Sequence, residues 1–172
     1  MEKAGTNADV LVDTRHSVRY HMRRVRFFDA WNRRIAILSL ISGTAVAASL
    51  LASAPAWIGI AFGGTIAALQ AIDLIAGTAT KARLHSDLAR SFINLERELT
   101  LADADAPTAP LVARRLEIEA DEPPVLRWLD LLCHNEMSRS EFGVDAPTYQ
   151  VSFLQRLLAD WADLSEVQLK RV

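Results

Sequence analysis

The chain contains a long stretch without charge: none of the 38 residues from Ile35 to Ile72 is Asp, Glu, Lys or Arg. As one helix with a rise of about 1.5 Å per residue, the stretch would be roughly 57 Å long, nearly twice the ~30 Å hydrocarbon core of a bilayer. Pro55 divides it, because proline suits the first turn of a helix and disfavours helical geometry at the preceding residue. The pattern therefore predicts two membrane spans, each close to one bilayer crossing.

Amphipathic helices are predicted on both sides of the apolar stretch, because apolar side chains recur there at spacings of three and four. The upstream stripe comprises Val18, Met22, Val25 and Phe28. The downstream stripe comprises Leu84, Leu88, Phe92, Leu95 and Leu99. Neither Pro nor Gly occurs from Thr78 to Ala106. We therefore expect the second span and its continuation to form one helix of about 45 residues from Ala56.

The rest of the chain predicts shorter helices at 111–120, at 125–140 and after the turn at 141–147. The apolar face of the 125–140 helix comprises Val125, Trp128, Leu129, Leu132 and Cys133. The apolar face of the last helix comprises Phe153, Leu154, Leu157, Leu158, Trp161 and Leu164. We expect both faces to pack on the long helices that flank the spans.

No strand pattern occurs, so the predicted fold is all-α: a two-span transmembrane helical hairpin whose long helices extend into a cytoplasmic helical bundle. The predicted segments are a flexible N-terminus at 1–13, a cytoplasmic stalk helix at 14–34, a first span at 35–52, an outer tip at 53–55, a second span at 56–77, a second stalk helix at 78–103, and C-terminal helical segments packing on the stalks at 104–172. The alternative is a soluble bundle that buries both apolar helices. The remaining chain is too charged to supply the apolar faces that such burial needs.

The distribution of charge orients the hairpin. Residues 1–94 carry 11 Lys and Arg against 6 Asp and Glu, whereas residues 95–172 carry 8 against 15. Arginines precede the first span, basic residues follow the second, and the tip has neither Lys nor Arg. By the positive-inside rule, both termini are expected in the cytoplasm. The basic and aromatic sequence at 20–28 is compatible with nucleic acid, but beside a span anionic lipid headgroups are the simpler partner.

Small residues four positions apart suggest close helix packing in lipid. The pairs are Gly43 and Ala47, Gly59 and Gly63, and Gly64 and Ala68. These faces either pack the two spans together or join neighbouring copies in a homo-oligomer, and a pore requires the second arrangement.

One ionisable residue, Asp73, lies near the inner end of the second span. An ionisable group at membrane depth is a candidate functional residue. The structural alternative places Asp73 at the headgroup level, near Arg33 or Arg34.

Residues for catalysis or metal binding are not predicted. The histidines, His16, His21, His85 and His134, form no ligand pair at four-residue spacing with a nearby acid. Cys133 precedes His134, but adjacent side chains on a helix point about 100° apart. We therefore interpret the single cysteine as a core residue. The prediction is a non-enzymatic protein without catalytic, cofactor-binding or metal-binding residues.

The order of these segments resembles the SLATT domain family. The resemblance covers about residues 14–143 and includes the arginine-rich and aromatic helix RHSVRYHMRRVRFFDAWNRR, two short spans, KARLHSDLARSFINLERELT and RLEIEADEPPVLRWLDLLCHNEM. Its most specific residues are Lys81, Ala82, His85 and Leu88, followed by Ile118, Glu119, Glu122, Pro123, Pro124, Asn135 and Glu136.

The resemblance implies a two-transmembrane effector of bacterial conflict or antiphage systems. Such an effector would sit in the bacterial inner membrane, oligomerise and permeabilise the membrane when a cytoplasmic sensor or nucleotide-signalling partner encoded nearby activates it. The family has no catalytic motif to transfer to this chain. The alternative function is a non-toxic membrane scaffold that recruits cytoplasmic partners through its acidic C-terminal half.

Overall fold

A computed structural model of the protein describes residues 6–52, 55–103 and 106–161. These ranges are helical and contain no strand, which confirms the all-α prediction. The helices are α1 (Asn7–Leu51), α2 (Ala56–Ala76), α3 (Thr78–Leu101), α4 (Thr108–Glu119), α5 (Arg127–Phe142) and α6 (Phe153–Leu158). The chain divides into two compact units, one formed by Met1–Arg24 with His85–Val172 and the other by Val25–Leu84.

The first unit has two hydrophobic clusters. The α3 cluster contains Val10, Leu88, Phe92, Leu95, Leu99 and Ile118. The α5 cluster contains Tyr20, Trp128, Leu129, Leu132, Cys133 and Ala159. Four of the five apolar residues predicted for the 125–140 helix are thus buried, whereas Val125 is 41% exposed. Removal of these side chains from water supplies the main stabilisation of this unit.

The prediction of a flexible N-terminus at 1–13 is wrong for residues 7–13, which belong to α1. The amide nitrogen of Thr6 donates to Asp9 Oδ2 at 2.8 Å, and the Asp9 amide donates to Thr6 Oγ1 at 3.3 Å. This reciprocal pair caps the start of the helix. Val10 is 3% exposed within the α3 cluster. Capping at Thr6 and burial of Val10 together stabilise residues 7–13 as helix, although the predicted apolar stripe of this helix began only at Val18.

The predicted stripe of α3 is buried at Leu88, Phe92, Leu95 and Leu99, whereas the buried stripe of α1 differs from the prediction. On α1 the buried positions Thr14, His21, Phe28, Ile35 and Ser42 are seven residues apart. On α3 the same spacing relates Thr78, His85, Phe92 and Leu99, and Ala82, Leu88, Ala89 and Leu95 are buried beside them. Met22 and Leu84, both predicted to be buried, are 42% and 39% exposed. A strict seven-residue repeat keeps one narrow face of a long helix against its partner, so position along the repeat outweighs side-chain hydrophobicity.

The predicted packing of the last helix holds only at its end, where Leu158 packs against the α5 cluster. α6 has six residues, and Phe153, Leu154 and Leu157 are each at least 60% exposed. Its start is fixed by Ser152, whose side chain accepts from the Gln155 amide while the Gln155 side chain accepts from the Ser152 amide. Only the end of the segment reaches the α5 cluster, where Ala159 is buried. Leu164, also predicted on this face, lies outside the described residues.

Gly77 interrupts the predicted long helix. The length is as predicted, since Ala56–Leu101 spans 46 residues. However, Gly77 has φ 59° and ψ 39°, which is left-handed geometry, so α2 ends at Ala76 and α3 begins at Thr78. Its amide donates to the Asp73 carbonyl at 3.0 Å, and its carbonyl accepts from the Lys81 amide at 3.0 Å. Glycine is required here because a Cβ clashes with the following carbonyl in this conformation.

Gly77→Ala is expected to lower the free energy of unfolding by about 1–2 kcal/mol, because alanine is strained in left-handed geometry. The matched control is Gly43→Ala inside α1, where an added Cβ has no heavy atom within 4 Å. That control is expected to be neutral or to stabilise by about 0.5–1 kcal/mol. Denaturant unfolding of both variants in the same detergent measures the difference. Equal effects of the two substitutions would contradict the left-handed role of Gly77.

Candidate functional site

The second unit presents an exposed apolar surface on α2. This helix contains a single charged residue, Asp73, and none of its residues is buried. Trp57, Ile60, Leu74 and Ile75 are 68–86% exposed. Within the described part of the chain, Ala56–Leu101 is the one helix long and apolar enough to cross a membrane. A helix at the core of a soluble bundle would bury these side chains, so the exposure does not fit that alternative.

The first predicted span corresponds to the C-terminal part of α1. Ile37, Leu38, Leu40 and Ile41 are 47–69% exposed. The side chains of residues 49–51 and residues 53–54 of the predicted tip lie outside the described residues. Pro55 directly precedes α2 with φ −54°, in agreement with the predicted division. The second crossing of the membrane stays a prediction.

Polar side chains connect the helices of the second unit. The Gln70 amide donates to Ser39 Oγ at 3.1 Å. The Thr78 hydroxyl lies 2.6 Å from Asn32 Oδ1 and 2.5 Å from Asp73 Oδ1. Thr78 is 5% exposed, so this hydroxyl shares its hydrogen between two acceptors inside the unit. Such contacts are typical of helices that associate where water is scarce.

The Thr78 hydroxyl also contacts the Asp73 side chain. Its hydrogen-bond partner is the Thr78 hydroxyl rather than an arginine. Arg33 and Arg34 are exposed, and no ion pair joins either of them to Asp73 among the described residues. The prediction that Asp73 lies near Arg33 or Arg34 at the headgroup level therefore stays a prediction.

The predicted small-residue faces are open. An added Cβ at Gly43, Gly63 or Gly64 would meet no heavy atom within 4 Å. Ala47 and Ala68 are exposed, and Gly59, the remaining member of the set, is half-buried. At the three glycines, the small-residue faces of α1 and α2 do not pack against each other. The faces are therefore available to a neighbouring copy.

The first unit contains a buried histidine pair that the sequence did not predict. His21 and His85 are 1% and 4% exposed, and their Nδ1 atoms are 2.9 Å apart. His21 Nε2 lies 3.0 Å from Glu122 Oε1, and Phe92 stacks on the His21 ring with centroids 5.6 Å apart. When both rings are neutral, His21 donates its Nε2 hydrogen to the carboxylate, so its Nδ1 accepts from His85. The order Glu122, His21, His85 is therefore a directed hydrogen-bond chain.

Burial, together with the smaller effects of the nearby His21 and Arg24, lowers the pKa of His85 to about 4. The ring is consequently neutral at physiological pH. The seven-residue spacing from Phe28 back to His21, and from Phe92 back to His85, is the sequence signal that would have placed both rings on buried stripes. Among the described residues, no three metal-ligating side chains are arranged to hold a metal ion.

Cys133 is a buried core residue. Its side chain is 0% exposed in the α5 cluster, and burial raises the pKa of the thiol to about 12. The thiolate is the reactive form, so this environment suppresses nucleophilic chemistry.

Cys133 is expected to react with iodoacetamide at least about tenfold more slowly than an exposed thiol, because each pKa unit reduces the thiolate fraction tenfold. A Val144→Cys variant provides the exposed thiol, since Val144 is 89% exposed. Mass spectrometry of the native protein compares the labelling of the two sites. Rapid labelling of Cys133 in folded protein would contradict its burial.

The fold and these contacts define an all-helical protein with an apolar, exposed helix of membrane-crossing length. Comparisons with protein-family models, with curated proteins and with solved structures found no match for this chain.

Proposed function

We propose that the protein is a membrane effector of the SLATT kind, which acts in a bacterial conflict or antiphage system. Its hairpin crosses the bacterial inner membrane twice, with both termini in the cytoplasm, and activated copies assemble and permeabilise the bilayer. The observation that carries the proposal is α2, an apolar helix of 21 residues without one buried side chain. Lipid satisfies such a surface, whereas water does not.

The two-span arrangement is supported by the second unit itself. The apolar end of α1 is exposed in the same way as α2, the Ser39–Gln70 hydrogen bond connects α1 to α2, and the Asn32–Thr78 hydrogen bond connects α1 to the first residue of α3. Polar side chains that bond across helices stabilise association in lipid by about 0.6 kcal/mol on average. Basic residues precede the apolar end of α1 and follow α2. By the positive-inside rule, this distribution favours cytoplasmic termini.

Assembly of several copies is supported by the open glycine faces. Two spans of one chain are too few to line an aqueous path, so permeabilisation requires neighbouring copies. Gly43 on α1 and Gly64 on α2 have space for close approach of another helix. The trigger in this proposal is a cytoplasmic sensor encoded nearby, which acts on the first unit.

The proposal is tested by following a membrane-potential dye in cells that express the protein with its genomic neighbours under activating conditions. Collapse of the potential is the expected result. Gly43→Leu is expected to insert normally but to leave the potential intact, because the bulky side chain blocks close helix approach. Ala48→Leu, at another exposed position of α1, is the matched control and should permeabilise as the unchanged protein does.

An unchanged potential under full activation would overturn the permeabilising role. Equal behaviour of Gly43→Leu and Ala48→Leu would overturn the assembly face. One observation favours the scaffold alternative: the exposed apolar side chains of α6, which offer a surface for a recruited protein. That alternative predicts that partners are captured while expression stays harmless and the potential does not change.

A further inference from the structure

A cavity of about 480 Å³ lies in the first unit, outside the regions discussed above. Its lining includes Arg23, Asn135, Glu136, Arg139, Tyr149 and Arg156. The arginines come from three different helices, α1, α5 and α6. The volume lies within the range of about 300–1,000 Å³ that small-molecule sites occupy.

The cavity lining is cationic although its surroundings are acidic. Three arginines and one glutamate give the lining a formal charge of +2, whereas residues 95–172 carry 8 basic and 15 acidic side chains. The guanidinium of Arg23 lies 3.0 Å from Glu136 and 3.7 Å from Asp160, so its charge is largely compensated. The excess positive charge therefore belongs to Arg139 and Arg156.

These two arginines have no ion-pair partner among the described residues. A guanidinium offers a planar fork of donors that fits phosphate oxygens in a bidentate manner. Two such groups line one cavity whose one lining carboxylate, Glu136, is already paired with Arg23, so they form a receptor for an anion of at least two charges.

The cavity also presents an aromatic ring held by its backbone. The Asn135 side chain donates to the Tyr149 carbonyl at 2.7 Å and accepts from the Tyr149 amide at 2.8 Å. The Asn135 amide thus holds residue 149 at both of its backbone polar groups. The ring itself contacts the His134 ring, with centroids 5.4 Å apart. A planar group of a ligand can stack on a tyrosine ring, which is a sequence-tolerant contact for nucleobases.

We propose that this cavity binds a small phosphorylated molecule with a planar ring, the chemistry of a nucleotide. Arg139 and Arg156 hold the phosphate groups, and Tyr149 contacts the ring. The site goes beyond the proposed membrane function and does not depend on insertion, because every residue that carries it belongs to the first unit.

Isothermal titration calorimetry of the full chain in detergent tests the proposal with sodium pyrophosphate, ADP and adenosine as probes. ADP and pyrophosphate are expected to bind, ADP more tightly, and adenosine at least about tenfold more weakly than ADP. The double variant Arg139→Gln with Arg156→Gln is expected to weaken both phosphate ligands at least about tenfold. Arg90→Gln with Arg97→Gln is the matched control, because both residues are exposed, lie on α3 and are not among the cavity's lining residues.

The outcomes separate the parts of the proposal. Absence of heat with both phosphate ligands would overturn the proposal. Equal weakening by the two double variants would also overturn it, because the ligands would then respond to the net charge of the chain and not to the cavity. Tyr149→Ala is expected to weaken ADP and to leave pyrophosphate unchanged. Equal weakening of both ligands by Tyr149→Ala would overturn the ring contact. If the protein does not permeabilise membranes but binds ADP, the proposed membrane function is refuted and this binding site is supported.

Discussion

Replacement of both Ala67 and Ala71 by arginine is expected to remove the protein from the membrane fraction. Both alanines are exposed on α2, a helix without buried residues. An arginine near the centre of a membrane-crossing helix opposes insertion by about 2.5–3.5 kcal/mol. The two substitutions together should therefore oppose insertion by about 5 kcal/mol, enough to shift the protein into the soluble or aggregated fraction.

The same change has the opposite consequence if α2 is a water-facing helix. Exposed arginines on a soluble helix alter stability by less than about 0.5 kcal/mol and increase solubility. The matched control is Ala79→Arg with Ala113→Arg, since both alanines are exposed and lie outside α2. That control should remain in the membrane fraction after carbonate washing and should need detergent for extraction. If both double variants stay in the membrane, the assignment of α2 as a span is wrong.

Lowering the pH is expected to destabilise the first unit through His85. Its pKa is about 4 in the folded protein, against 6.5 for a free histidine. The unfolded chain therefore binds more protons between these two values, and stability falls as the pH falls through this window. The loss is small above pH 6.5, reaches about 3 kcal/mol at pH 4 and is complete only below that pH, because each pKa unit corresponds to 1.36 kcal/mol.

His85→Asn isolates this contribution. The asparagine amide can still donate a hydrogen bond to His21 Nδ1, but it does not titrate. Urea unfolding of the full chain at pH 7.5, 6, 5 and 4.5 should give a flatter profile for this variant than for the unchanged protein. His134→Asn, a substitution of a histidine outside the pair, serves as the control. An unchanged profile in His85→Asn would contradict the burial of a neutral ring at this position.

Hydropathy and length sufficed to predict α2, because membrane-crossing length and lack of charge are local properties of the chain. The start of α2 after Pro55 was equally predictable, since proline restricts its own backbone and its neighbour. By contrast, the break at Gly77 depends on one left-handed residue in a chain with several helical glycines. Sequence alone does not distinguish such a glycine from Gly43 or Gly64.

The histidine pair required knowledge of how two distant segments align. His21 and His85 are 64 positions apart, and each looks like a polar interruption of an apolar stripe until the seven-residue repeat is followed through it. The arginine cavity was harder still, because Arg139 and Arg156 come from separate helices with no shared motif. Their lack of carboxylate partners is a property of the packed unit, not of any segment.

The hydrogen bond between the two imidazoles limits how α1 and α3 can move within the first unit. Sliding one helix by a seven-residue repeat would separate the two rings and break the hydrogen bond between them; a buried nitrogen left without a partner costs about 1–3 kcal/mol. Sliding is therefore opposed, while a tilt that keeps His21 and His85 together is not. The pair sets the register of the two helices, and a mechanical signal passing along them would travel as an angle rather than as a displacement.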